Sequence, residues 1–294
     1  MTTLTAGRAS AEVPGRAHRL WRLARRNPSA LLGGLVVLVI VVVAVVAVFW
    51  TPYGPLAVFP GQALLGPGPH HLLGTDQYGR DLLSRLMSGA DPTLLSSAGA
   101  VLIAGGIGIP AGLLSASRGG LVSELIMRLA DLIYSFPALL AAITLVAVFG
   151  ASTITATVAI GIASIPAFAR VTRSASLTVL GTDYVLAARA YGRSPLAILR
   201  RHVVPNILPF IIVQSSLLLS VTVLAVAALS YLGLGTPPPA ATWGGMLENA
   251  QNYLYQDPLM AVWPGLAIAL CVLGFNALGD GLRDLLDPTL RARE

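Results

Sequence analysis

Ala30-Leu-Leu-Gly-Gly-Leu-Val-Val-Leu-Val-Ile-Val-Val-Val-Ala-Val-Val-Ala-Val-Phe-Trp50 carries no charged, amide or hydroxyl side chain. About 20 such residues in a helix cross the hydrocarbon core of a bilayer. The run is too long for a signal-peptide core and no small-x-small cleavage site ends it, so a retained span is expected. Arg16, Arg19, Arg22, Arg25 and Arg26 precede it, which places its N-terminal end in the cytoplasm. Trp21 and Leu23 among those arginines suggest a short interfacial helix; a disordered basic tail is the alternative.

The rest of the composition agrees. The chain has 294 residues, 55% hydrophobic and 11% charged, with a mean hydropathy of +0.76. A soluble domain needs roughly 25% charged residues to cover its surface. The expected class is therefore an all-α integral membrane protein. The net charge of +6 comes entirely from arginine, with no lysine. A nucleic-acid binder would gather such charge on a soluble module; here the arginines punctuate apolar runs, so no nucleic-acid partner is expected. The single Cys271 falls inside an apolar run and excludes a disulfide or a cysteine metal site.

Working outward, residues 1–29 read as a cytoplasmic tail, 30–50 as the first span and 51–91 as an extracytoplasmic segment rich in Pro and Gly. In that segment Asp76 is expected to cap a helix start, with Arg80 paired locally. Residues 92–280 form a core of five further spans. The second runs from about Pro92 to Ser115, with Gly105, Gly106 and Gly108 permitting close helix contact. The third, Leu125 to Phe149, is entered through Arg128 and Asp131, which could pair, and should kink at Ser135-Phe136-Pro137. The fourth covers about Ser152 to Phe168, the fifth Ile207 to Leu232 and the sixth Leu259 to Leu278. Between the last two, Trp243 and Tyr253 suit a membrane interface. Residues 281–294 are a second cytoplasmic tail. Of 19 arginines only Arg80 and Arg85 then lie outside.

The longest polar interval of the core is residues 183–209, and it reads as helix, turn, helix. Tyr184, Ala187, Ala188 and Tyr191 share one face of a short helix, with Thr182 and Asp183 as candidate cap acceptors. Gly192 occupies a left-handed cap position. Ser194 and Pro195 then suit an N-cap and first helical position. Leu196, Leu199 and Val203 are the apolar positions of the second helix, and Pro205 is expected to limit it. A solvated connector is the plainer reading of such a loop.

No span carries an ionisable group near its centre, which is what ion and proton relays use. Nor is a nucleophile, paired carboxylate or His-rich ligand set assembled for an intramembrane enzyme. No phosphate-binding P-loop is present. A secondary transporter and a scaffold without transport remain the rivals to a conduit driven by a separate subunit.

The knuckle resembles the EAA motif of bacterial ABC-importer permeases. Ala187-Ala188, Gly192 and Val204-Pro205 match its pattern, while Leu186 replaces its Glu and His202 its Ile. Leu73-Gly-Thr-Asp-Gln-Tyr-Gly-Arg-Asp81 resembles a block of the C-type permease of dipeptide and oligopeptide importers, nickel relatives included. Arg128-Leu-Ala-Asp131, Trp243-Gly-Gly-Met246 and the ending around Gly279-Asp280 and Leu286-Asp-Pro288 are similar to the same family. The resemblance implies a bacterial cytoplasmic membrane location and transport of peptides, or alternatively nickel chelates or another small solute. It implies as partners a second homologous permease, two ABC ATPase subunits and an extracytoplasmic substrate-binding protein. ATP and magnesium would sit on the ATPases and no cofactor on this chain. Ala187, Ala188, Gly192, Arg193, Ser194, Pro195 and Pro205 would form the ATPase-coupling loop.

Overall fold

The computed structural model describes residues 27–286; Trp21, Leu23 and Asp287-Pro288 lie outside them. Among the described residues every regular element is helical, with one isolated bridge between Thr75 and Asp81. Five helices are long and apolar enough to cross a membrane, and a bent pair makes a sixth if it is one broken span.

Helix α1 (Pro28–Phe49) is the quoted valine run, and only Gly33 and Ala44 of it are buried. A Cβ on Gly33 would collide with the backbone of Leu278, and one on Gly281 with Ala30. The small residues thus lay α1 antiparallel along α11 (Leu259–Leu286), and the valines on its other sides face outward as a lipid-exposed surface requires.

After α2 (Leu82–Ser88), the long α3 (Ala90–Arg118) pairs with α6 (Thr153–Leu180). Their axes approach closely because added Cβ atoms at Gly108 and Gly112 would stand 2.7 Å from the Ile165 carbonyl oxygen and 2.6 Å from that of Ala169. Of the three glycines expected at this contact only Gly108 needs to be glycine. Gly105 makes ordinary contacts and Gly106 faces open space. Helix α9 (Val204–Tyr231) packs on α3, α6 and α11, and Val223, Ala227, Trp243, Cys271 and Phe275 meet in one buried cluster.

The kink expected at Pro137 is a full break. Helices α4 (Gly120–Ser135) and α5 (Ala138–Phe149) are bent by 82°. Proline excludes its predecessor from the helical region, and Phe136 sits at φ −87°, ψ 132°. Arg128 and Asp131 do not pair with each other: Arg128 bonds Glu124 one turn back at 3.0 Å, and Asp131 receives Arg170 of α6 at 2.6 Å. Helix α6 also continues past Phe168 to Leu180, and α11 past Leu278. A charged residue ends the part of a helix that suits lipid without breaking its hydrogen bonds.

The segment before α2 is held by buried ions. Asp81, not Asp76, caps α2: one oxygen accepts the Ser84 N–H at 2.8 Å and its hydroxyl at 2.7 Å, and the other meets His71 Nδ1 at 2.9 Å. Asp76 instead organises the turn, accepting the Tyr78 and Arg80 amides and the Arg80 guanidinium at 2.6 Å. Arg80 is paired locally, as expected. Helix α10 (Trp243–Ala250) docks on this segment. Gln77 Nε2 donates to Asn249 Oδ1 at 3.1 Å, and Trp243 Nε1 donates to the Leu86 carbonyl at 2.9 Å. Trp243 is 3% exposed, so it is an interior anchor and not the interfacial residue expected.

Candidate functional site

Two short helices form the knuckle, α7 (Asp183–Ala190) and α8 (Pro195–Ile198). Gly192 adopts φ +77°; the Gly192 amide donates to the Arg189 carbonyl at 2.9 Å and the Arg193 amide to the Ala188 carbonyl at 3.2 Å. This pair of bonds is a Schellman cap, which satisfies two orphan carbonyls and reverses the chain. Ser194 Oγ accepts the Ala197 amide and Pro195 opens α8. The start of α7 differs from expectation. The Thr182 hydroxyl donates back to the Val179 carbonyl at 2.7 Å, and only its backbone carbonyl receives α7 amides. The Val179 carbonyl accepts the Thr182 amide as well as its hydroxyl, so the side chain closes the end of α6 rather than capping α7.

Pro205 does not end the second helix. Leu199–Val203 is a π-turn, with the Val204 amide reaching back five residues to the Leu199 carbonyl, and the chain runs helically from Pro195 to Tyr231. The wider turn takes up the position where the proline offers no N–H. The knuckle is therefore joined rigidly to α9 and through it to the bundle.

Burial sorts its side chains. Val185, Ile198 and Val203 insert among Ala116, Val179, Leu180 and Ile207. Ala188 packs at the edge of this cluster, while Ala187, Gly192, Arg193, Ser194, Pro195 and Pro205 are exposed. Tyr191, on the face shared with Tyr184, Ala187 and Ala188, and Leu196, an apolar position of the second helix, are 89% and 75% exposed. With Leu186 they give the knuckle an apolar outer surface beside its arginines. The inward residues were hard to rank because both helices are too short for periodicity to decide a face. An exposed aromatic directly before a left-handed glycine was the available signal. Ser117 at the end of α3 lines the same recess as Arg189 and Arg193, so the knuckle lies at the α3–α4 end of the bundle. No cluster of His, Cys, Asp and Glu able to hold a metal occurs among the described residues.

Residues 108–292 match the model of the binding-protein-dependent transport system inner membrane component, and residues 16–67 that of the N-terminal transmembrane domain of oligopeptide transport permease C. The glutathione transport system permease protein GsiD of Pectobacterium atrosepticum is 39% identical, over 94% of this chain and 92% of its own length. The di/tripeptide transport system permease protein DppC of Pseudomonas aeruginosa is 41% identical, over 95% and 94%. A chain of the MetNI methionine ABC transporter shares the fold at a TM-score of 0.58 and 20% identity, covering 70% of this chain and 98% of that one.

Proposed function

Because this chain belongs to the family of binding-protein-dependent transport system inner membrane components, we propose that it is a permease subunit of an ATP-driven importer of short peptides in a bacterial cytoplasmic membrane. The names of its relatives, permeases for glutathione and for di- and tripeptides, support the substrate class. A second permease completes the path, an extracytoplasmic binding protein delivers the peptide, and two ATPase subunits hold the ATP and magnesium.

Six crossings with both ends in the cytoplasm are supported by which chain segments touch. Gly120 begins α4 at the knuckle end of the bundle. At the far end of the bent pair, Thr153 Oγ1 meets Thr236 Oγ1 at 2.8 Å, a few residues before α10, which contacts the segment 77–86. These contacts support reading the pair α4–α5 as a broken span that crosses the bundle rather than as a re-entrant loop. Among the described residues the arginines then gather with the knuckle, apart from Arg80 and Arg85, as the positive-inside rule requires.

The observation that carries the mechanism is the rigid knuckle. Its buried side is fixed in the bundle by Val185, Ile198 and Val203, and its outer side presents Tyr191 and Leu196. An ATPase groove that holds Ala187, Ala188 and the turn Gly192-Arg193-Ser194-Pro195 would move α9 directly, through the continuous helix at Pro205. Closure of the ATPases on ATP would in this way turn the path outward.

Reconstituted vesicles containing this chain with its partner permease, ATPases and binding protein should take up radiolabelled dialanine only with internal-side ATP. The purified chain alone should not hydrolyse ATP. Uptake that survives ATP depletion and stops with an ionophore would replace this reading with a secondary transporter.

A further inference from the structure

At the knuckle end, α3, α4 and α6 enclose an open pocket of about 440 Å³. Its ionic lining is Glu124, Arg128, Asp131 and Arg173. Three of these are already neutralised, since Glu124 pairs with Arg128 and Asp131 with Arg170. Arg173 is the exception: among the described residues no carboxylate lies within ion-pair distance of it. It is half-buried, and its Nε donates to Ser123 Oγ at 3.2 Å. Ser123 is itself fixed by Ser115 Oγ at 2.8 Å, and both serines are buried. The serine pair holds the guanidinium by Nε, and among the described residues its two terminal nitrogens make no hydrogen bond.

We propose that this pocket is an inner-face binding site for a carboxylate, occupied by the C-terminal carboxylate of a short peptide. The peptide identity rests on the function proposed above; the carboxylate preference rests on Arg173. Two parallel N–H groups of a guanidinium match a carboxylate's oxygens, and a single negative charge is what the lining lacks. A zwitterion is admitted as well, with its carboxylate on Arg173 and its ammonium shared with the existing ion pairs. The carboxylates of Glu124 and Asp131 are more than half exposed and can receive a ligand ammonium. Met127 and Leu177 supply an apolar wall for a side chain. Gly119 and Gly120, at φ +60° and +51°, turn the chain at the pocket, and even a Cβ there would meet nothing within 4 Å. A pocket of this size holds a small ligand with room for its side chains. Occupied from the cytoplasm, it ties α4 to α6 below the break at Pro137 and gives accumulated peptide a place to oppose further cycling.

The test uses the complete assembly of permeases and ATPases in nanodiscs, without the binding protein, titrated with dialanine by calorimetry. Dialanine amide, which has lost the carboxylate, is the comparator. Dialanine should bind, its amide at least tenfold more weakly, and Arg173→Gln should weaken dialanine at least tenfold while Arg173→Lys costs less. Equal binding of dialanine and its amide overturns the proposal. So does unchanged affinity in an intact Arg173→Gln assembly, or no dialanine binding to the wild type, as when an ATPase side chain fills the pocket. Should Arg173→Gln fail to assemble, Ser123→Ala takes its place and must weaken dialanine but not its amide. ATP-driven dialanine uptake by the wild type, measured alongside, separates the two readings: its absence sinks the proposed function, whereas uptake without Arg173-dependent binding sinks only this site.

Discussion

Gly192 shows how much one backbone angle can decide. Its φ of +77° makes the Schellman cap possible, and a Cβ there would meet nothing within 4 Å. The cost of a side chain is therefore conformational alone, about 1–2 kcal/mol for a left-handed residue. That is roughly a 5–30-fold shift in the population of the correct turn, with no cavity or clash to unfold the bundle. Gly192→Val should leave membrane abundance nearly unchanged, lower peptide uptake several-fold and reduce co-purification of the ATPases, whereas Gly192→Asn should do much less. Unaltered uptake by Gly192→Val would reduce the knuckle to a connector. This glycine was legible from sequence because its neighbours are helix-compatible and it is not. Asp76 and Pro205 were misleading for a shared reason. A cap or a terminator is defined by which amide it lacks or accepts, and Asp81 and a π-turn supplied the alternatives.

At the scale of elements, the membrane-suited core of each span could be read from apolar runs, but helix ends and partners could not. Helices α6 and α11 extend beyond the lipid-compatible stretch because nothing in Arg170, Arg173 or Asp280 interrupts backbone bonding. Which small residues face a neighbour depends on helix rotation, which a nearly uniform apolar sequence does not encode. Gly112 went unnoticed for that reason, although its missing Cβ would sit 2.6 Å from the Ala169 oxygen and 2.7 Å from Thr172 Cβ. Overpacking commonly costs about 1–3 kcal/mol, and here the obstruction is backbone, so α3 and α6 must separate. Gly112→Leu should sharply reduce the amount of detergent-stable protein, while Gly106→Leu, which faces open space, should be tolerated. Fluorescence-detected size exclusion of tagged variants reads both; equal yields would mean the α3–α6 contact is not what holds the bundle.

For the molecule as a whole, topology turns on the bent pair. Hydropathy cannot separate a broken span from a re-entrant loop, because both are apolar and both contain a proline. The tertiary contacts support the proposed broken span by parity. If α4–α5 returned to its starting side, the segment 77–86 and α10 would lie on opposite faces of the membrane, yet Gln77 reaches Asn249 and Trp243 reaches Leu86. The same loop would also expel Arg189, Arg193, Arg200 and Arg201 to the outside, against the charge bias that orients membrane proteins. The prediction can be checked in a background where Cys271, the only cysteine and a buried one, is replaced by alanine. Single cysteines at Ala57, Ala151 and Asn252, all exposed positions, should react with an impermeant thiol reagent in intact cells. One at Ser194 should react only after the membrane is opened. Ala151 is the deciding site, since it follows the bent pair directly. Protection of Ala151 together with labelling of Ser194 would establish the re-entrant loop, reverse the second half of the chain and remove the knuckle from any cytoplasmic partner.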